Sequence, residues 1–350
     1  MTLFDSPAFE NHEAVHSFFD EKSGLRCIIA VHSTYRGPAA GGCRMWTYPD
    51  AEAALTDALK LSRAMSYKNA MADLELGGGK AVIIGDSRTQ KTPELFEAFG
   101  RAVERVAGRY WTAEDVGVSP ADLTYARKHT KYVAGLEGHP AASGDPSPVT
   151  AEGVFRGIEL CVTRAYGGGL SGVTVAIQGV GHVGAYLADK LHAAGAKLII
   201  TDVNPQTLDE VAARTDAQVV EPDAIFDADA EVFAPCALGG AVNAQTLPRL
   251  KGKVVAGGAN NQLATPAVGQ ALFERGMLYA PDYVINGGGI INVAAEIRAL
   301  DRGEAYDPAW VEGKLSRLVQ TLGEVLDRST DERRPSNEVA DEIAKSRIGR

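Results

Sequence analysis

The chain has 350 residues, 45% of them hydrophobic and 23% charged, the balance of an ordinary globular protein long enough for two domains. Its formal net charge of −10 opposes binding to nucleic acid or an anionic membrane, both of which call for basic surface. The stretch Met1 to Glu10 lacks the basic and apolar runs of a signal peptide, no apolar run approaches the roughly 20 residues that span a bilayer, and a cytoplasmic location is expected.

In chain order, the β-prone run within Leu25 to His32 predicts a strand, and Gly37 to Gly42 a glycine-rich turn. Asp50 opens a helix with Ala54, Leu55, Ala58, Leu59 and Met65 at helical spacing. Lys80 to Ile84 reads as a short buried strand, and Thr92-Pro93 and Ser119-Pro120 as helix starts with proline at the first helical position. The turn-rich stretch Gly138 to Pro148 marks a hinge, after which Thr150 is expected to cap a helix running to about Tyr166. Six strands follow, at Val173 to Ile177, Lys197 to Thr201, Gln218 to Val220, Glu231 to Ala234, Lys253 to Ala256 and Met277 to Tyr279. Helical stretches between most of them argue a parallel, doubly wound sheet. Asp307-Pro308 starts a long helix with the stripe Val311, Leu315, Leu318, Leu322, Val325 and Leu326, and a last helix spans about Ser336 to Ile348. The expected fold class is α/β with two domains: an N-terminal α/β domain over residues 1–143, a Rossmann-type doubly wound domain over 144–330, and a C-terminal helix over 331–350.

The run Val173 to Gln178, which carries the expected strand Val173 to Ile177, leads directly into Gly179-Val180-Gly181-His182-Val183-Gly184, and a helical pattern follows. In such a turn the first glycine permits the bend, the second lets a pyrophosphate approach the backbone, and the third lets helix and strand pack. The helix start offers unpaired N–H groups and a positive dipole end to phosphate. A bare GxGxxG is common, but here the strand before and the helix after agree with it. Asp202 ends the next strand, 18 residues beyond Gly184. A carboxylate there accepts from both adenosine-ribose hydroxyls and repels a 2′-phosphate, so NAD is expected over NADP.

The first domain carries Lys68 and the run Gly77-Gly78-Gly79-Lys80. Three glycines before a lysine are costly to order and suggest close approach of the backbone to a ligand. The spacing is not that of a phosphate-binding P-loop, and a strand rather than a helix follows. On an apolar strand Lys80 is expected to be partly desolvated, which with a second nearby cation lowers an amine toward the range of a general base. Lys68 is a candidate for that cation and suits a substrate carboxylate. Asp115, after Trp111 to Glu114, is a candidate for proton exchange with a substrate amine. The four cysteines, Cys27, Cys43, Cys161 and Cys236, form no CxxC pair and read as reduced, buried thiols, and the seven histidines show no ligand spacing, so no metal is expected.

These residues, together with Gly37 to Met45, Tyr67 to Ala70, Ala113 to Gly117, Pro146 to Thr150, Gln178 to Gly181, Ala234 to Gly239, Ala259 to Leu263 and Ala280 to Asn286, carry a resemblance to the glutamate/leucine/phenylalanine/valine dehydrogenase family that runs from about Gly24 to the end. The resemblance implies NAD-dependent oxidative deamination, with the active site in the cleft between the domains and the last helix returning to the first. It implies Lys80 as the base that activates water, Asp115 as the acid at the substrate nitrogen, and Lys68, with backbone near Gly41 and Gly42, as the α-carboxylate site. It implies Thr150 at the nicotinamide carboxamide, and Asn261 or Asn260 beside the nicotinamide ribose and the substrate amine. Its cofactor set takes in Gly179, Gly181, His182, Val183, Gly184, Asp202, Asn204, Cys236 and Ala237.

The family's side-chain pocket falls here on Ala40, Ala113, Ile290 and Val293, all apolar, so a glutamate γ-carboxylate would be desolvated without a partner. Ala113 and Val293 are of the leucine type, while Ala40 resembles the phenylalanine type. The expected substrates are leucine, valine and isoleucine, with phenylalanine as the alternative within the family and an NAD-sensing binding protein as the alternative outside enzymes. A homo-oligomer is expected.

Overall fold

A computed structural model describes residues 3–349, and the chain divides into two compact units. The first holds the chain up to Gly144, Asn292–Val311, and the stretch from Ala344 onward; the second holds Asp145–Ile291 and Glu312–Ile343. This differs from the expected cuts. Residues 292–311 pack with the first unit rather than with the nucleotide domain, and the C-terminal helix packs with the second unit up to Ile343. The changes of partner fall inside or beside continuous helices, α9 (Gly288–Arg302), α10 (Pro308–Glu332) and α11 (Ser336–Arg347), where no turn signal marks most of them. Met1, Thr2 and Arg350, at the outer ends of the expected first domain and C-terminal segment, lie outside the described residues.

The first unit contains β1 (Ala14–Asp20), β2 (Leu25–Ser33), β3 (Ala39–Ala40), β4 (Cys43–Trp46), β5 (Gly77–Ile84) and β6 (Tyr110–Trp111), with helices α1 (Ala51–Met71), α2 (Pro93–Arg105) and α3 (Pro120–Arg127). The sheet order is β1-β2-β5-β3-β6, with β4 also on β5. β1, β2 and β5 pair antiparallel, whereas β3, β4 and β6 join in parallel. Both faces of β2 are covered: Cys27, Ile29 and Val31 pack in one cluster with α2 and α3, and Ile28 and Ala30 in another with α1. Asp50, Thr92 and Ser119 cap the three helices as their sequence positions predict, Ser119 in a reciprocal capping box with Asp122.

The turn-rich stretch expected as a hinge is fastened up to Ser143. The fully buried Glu296 of α9 accepts the backbone N–H groups of Gly135, Leu136 and Ser143 at 2.9, 3.3 and 3.1 Å and the Ser143 hydroxyl at 2.6 Å. Asn292 donates to the Ser143 carbonyl at 3.1 Å.

The second unit contains α4 (Ser147–Tyr166) and the strands β7 (Thr174–Gln178), β8 (Lys197–Thr201), β9 (Gln218–Val219), β10 (Val232–Pro235), β11 (Val254–Val255) and β12 (Leu278–Tyr279), all paired in parallel in the order β12-β11-β10-β7-β8-β9. Helices α5 (His182–Ala193), α6 (Pro205–Thr215) and α7 (Pro266–Glu274) lie between them in sequence, and α8 (Asp282–Ile285) follows β12. The order grows outward from β7 in both directions, so the topological switch point lies between β7 and β10. The expected stripe of α10 is buried along its whole length, from Val311 to Leu326. Thr150 does not cap α4. Pro146 holds that position, and the Thr150 hydroxyl, inside the first turn, donates back to the Pro146 carbonyl at 2.9 Å. Among the described residues no helix is long and apolar enough to cross a membrane.

Candidate active site

In the first unit, β3 and β4 would form one strand along β5 but are interrupted at Gly41–Gly42. β3 pairs with Gly77 and Gly78, and β4 resumes at Ala81. The break lies opposite Gly79 and Lys80. There Gly41 N–H donates to the Trp111 carbonyl at 3.2 Å and Cys43 N–H to the Ala113 carbonyl at 2.8 Å, which lays the segment after β6 alongside and brings Asp115 to Lys80. The Lys80 ammonium contacts Asp115 Oδ2 directly. Tyr110 fixes the break, its hydroxyl donating to the Gly41 carbonyl at 2.6 Å.

The glycines before Lys80 are closed in by protein on the side where a side chain would stand. A Cβ on Gly77 would stand 1.9 Å from the Ser33 carbonyl oxygen, one on Gly78 2.1 Å from the Ser66 nitrogen, and one on Gly79 2.6 Å from the Tyr110 ring. They are glycine because neighbouring protein atoms already occupy that space. Gly41 and Gly42 are likewise closed in, by the Gly79 and Glu114 carbonyls at 2.0 and 2.3 Å.

Lys80 is 4% exposed. Burial, and next the Arg44 charge, bring its ammonium down to about 7, with Lys68 adding to the fall and Cys43 and Asp57 opposing it. Lys68, half-buried in the last turn of α1, therefore belongs to the same electrostatic cluster. Ala40 and Ala113 are buried beside these strands. Ile290 and Val293 are half-buried on α9, three residues apart and so on one helix face. Sequence reasoning passed over Arg44 and Tyr110. Arg44 stands inside a quoted motif, but its type and spacing carried no signal that it faces Asp115, at 3.7 Å.

In the second unit most of the expected nucleotide residues collect at the carboxyl ends of β7, β8 and β10, while Asn260 follows β11 and Thr150 lies in α4. Gly179, at φ +94°, and Gly184 are glycine for reasons internal to the fold: a Cβ would meet Ala237 at 2.7 Å and the Gly179 carbonyl at 2.0 Å respectively. Gly181 differs. It has ordinary φ, caps α5, and a Cβ there would meet no protein atom within 4 Å. Open space where a glycine leads into a helix of His182, Val183 and Gly184 is the geometry that fits a pyrophosphate. Asp202 is tied to this turn, Oδ2 accepting from Val180 N–H at 2.7 Å and Oδ1 from Asn204 N–H at 2.9 Å, and a carboxylate has lone pairs left for ribose hydroxyls. Asn204 caps α6. Cys236 follows β10 at the switch point and is half-buried, where the other three cysteines are fully buried; its sulfur accepts from Gly258 N–H at 3.3 Å. Asn261 adopts a left-handed φ of 52° and its carbonyl accepts from Gly240 N–H at 2.7 Å. Asn260 is oriented by Asn286, whose amide donates to Asn260 Oδ1 at 2.9 Å, a partner that the sequence did not single out.

Family models match the chain over residues 12–132, as the Glu/Leu/Phe/Val dehydrogenase dimerisation domain, and over 201–348, as Glutamate/Leucine/Phenylalanine/Valine dehydrogenase. Leucine dehydrogenase of Geobacillus stearothermophilus is 45% identical over 99% of this chain and 94% of its own. Phenylalanine dehydrogenase of Bacillus thermotolerans is 41% identical over 99% and 90%. The crystal structure of L-tryptophan dehydrogenase from Nostoc punctiforme superposes with a TM-score of 0.87 at 38% identity, covering 99% of each chain.

Proposed function

This chain belongs to the Glu/Leu/Phe/Val dehydrogenase family and is an amino-acid dehydrogenase, and from that premise we propose that it oxidises apolar L-amino acids, leucine, valine and isoleucine first, with NAD. The observation that carries the proposal is a buried lysine able to be neutral near pH 7, in contact with a carboxylate.

Lys68 receives the substrate α-carboxylate, with backbone at Gly41 and Gly42 beside it. NAD, when bound, supplies the acceptor for the hydride of the substrate α-carbon. Lys80 then takes a proton from a water as its oxygen adds to the iminium carbon. Asp115 passes protons at the nitrogen while the C–N bond of the carbinolamine breaks. Amino acid, water and NAD give 2-oxo acid, ammonium, NADH and a proton, and each step reverses for reductive amination. Thr150, Gly179 to Gly184, Asp202, Asn204, Cys236, Ala237 and Asn260 hold the nucleotide, with Asn261 near the substrate amine.

Ala40, Ala113, Ile290 and Val293 offer no charge to a polar side chain. Alanine at position 40 leaves room beyond leucine, and one methylene is worth only about 1–3 kcal/mol in such a pocket, so phenylalanine is expected to turn over more slowly. Initial rates of NADH formation across a panel of amino acids test this. A strong preference for phenylalanine moves the assignment to that substrate, and no turnover of any amino acid refutes it.

Asp202→Ala is expected to weaken NAD and to relax discrimination against NADP, because it removes both the ribose acceptor and the charge that repels a 2′-phosphate. The ratio of kcat/KM with NAD to that with NADP measures it; an unchanged ratio would remove Asp202 from the assignment.

A further inference from the structure

A carboxylate in contact with a lysine ordinarily keeps that lysine charged, which is the wrong state for a base. Asp115 touches Lys80 through Oδ2. Its other oxygen accepts from Val116 N–H at 2.6 Å and faces Arg44 Nη2 at 3.7 Å. Arg44 is itself held from behind, its Nη1 donating to Asp57 Oδ2 at 3.1 Å, and the Tyr48 hydroxyl donates to the same oxygen at 2.5 Å. The guanidinium is therefore braced by one carboxylate and turned toward the other, and it cannot give up its own proton.

We propose that Arg44 is a positioning residue of this reaction: braced by Asp57, it shares Asp115 with Lys80, fixing that carboxylate and balancing its charge so that Lys80 is free to act as the base. The proposal rests on the dehydrogenase reading and adds a residue to it. The other groups facing Lys80 do not replace Arg44. Cys43, from the same strand, is a buried thiol, and Tyr110 of β6 is a buried phenol spent on the Gly41 carbonyl. β2 places Ala30 in register with Lys80. From α1, Asp57 opposes release of the proton and Lys68 favours it less than Arg44 does.

The test is the pH at which Lys80 becomes reactive toward acetic anhydride, read by mass spectrometry of the full-length protein across a pH series, for wild type, Arg44→Met and Arg44→Lys. In Arg44→Met the midpoint is expected to rise by about one unit or more, since a cation at this range moves a neighbour by that much. In Arg44→Lys, which keeps the charge, it returns toward wild type. Turnover is expected to fall in Arg44→Met through kcat, with KM for the amino acid little changed. A purely structural role would lower activity without moving the Lys80 midpoint. An unmoved midpoint in Arg44→Met, or an equal shift in both variants, overturns the proposal. If Arg44→Met does not fold, Arg44→Gln, which loses the charge and keeps a planar amide, gives the same comparison. A wild type that reduces no NAD with any amino acid would instead sink the dehydrogenase reading, and the labelling midpoint would still report on Arg44.

Discussion

Lys80→Ala is expected to lower turnover by about 10²- to 10⁴-fold, the range that a positioned general base contributes, while NAD binds nearly as it does to wild type. The residues assigned to the nucleotide all belong to the second unit, and Lys80 belongs to the first. Stopped-flow turnover together with a fluorescence titration of NADH separates the two effects, and an active mutant would remove the mechanism. Lys80 also carries a pH signature in stability. Its amine is depressed from 10.5 to about 7 by burial and then by Arg44. Between those values the unfolded chain binds the proton that the folded protein has shed, so unfolding takes up a proton and stability rises with pH. Below about 7 both states are protonated and the penalty for burying the charge is fully present. Relative to Lys80→Met, wild type is therefore expected to gain stability steadily from pH 7 toward pH 10. Urea unfolding of both proteins at several pH values checks the sign, and parallel curves would contradict the burial of a neutral amine.

Glu296→Ala is expected to cost about 2–4 kcal/mol of stability, the scale for leaving one or two buried donors without an acceptor. The carboxyl group is completely buried, and it satisfies three backbone N–H groups and one hydroxyl of the segment 135–143. Alanine leaves those donors without this acceptor, and each one that stays buried costs about 1–3 kcal/mol. Glu296→Gln is expected to recover only part of the loss, because its NH₂ group would face donors. Denaturant midpoints for the three proteins give the ranking, and an alanine variant within about 0.5 kcal/mol of wild type, the range of an ordinary surface change, would show that the segment does not depend on this clasp.

The strands of the second unit were legible because most are short apolar runs between turn residues; Lys197 to Thr201 falls where the sequence put it and the others differ by one residue at one or both ends. The helix starts at Asp50, Thr92 and Ser119 were legible because a cap is local chemistry. β1 was not. It is an edge strand with Phe19 72% exposed, and its mixed residues show neither alternation nor a continuous apolar run. β3 was hidden inside a glycine-rich stretch that reads as a turn, since its two alanines acquire a strand's identity only by pairing with β5 and β6. Within the site, Lys80 and Asp115 were named from sequence, but their contact depends on the break at Gly41–Gly42, a matter of three strands meeting rather than of any one spacing. Glu296 was invisible for the same reason: its donors lie more than 150 residues earlier in the chain.

The strand that presents Lys80 begins with three residues that have no side chains, and atoms of Ser33, Ser66 and Tyr110 stand where those side chains would be. Such a strand has no padding. A displacement of α1 or of the Tyr110 ring is passed straight to the main chain that aims the reactive amine. Mutational tolerance should therefore be lopsided, with the half-buried Ile290 and Val293 of α9 accepting new shapes and the layer around Gly77 to Gly79 rejecting even a single added methyl.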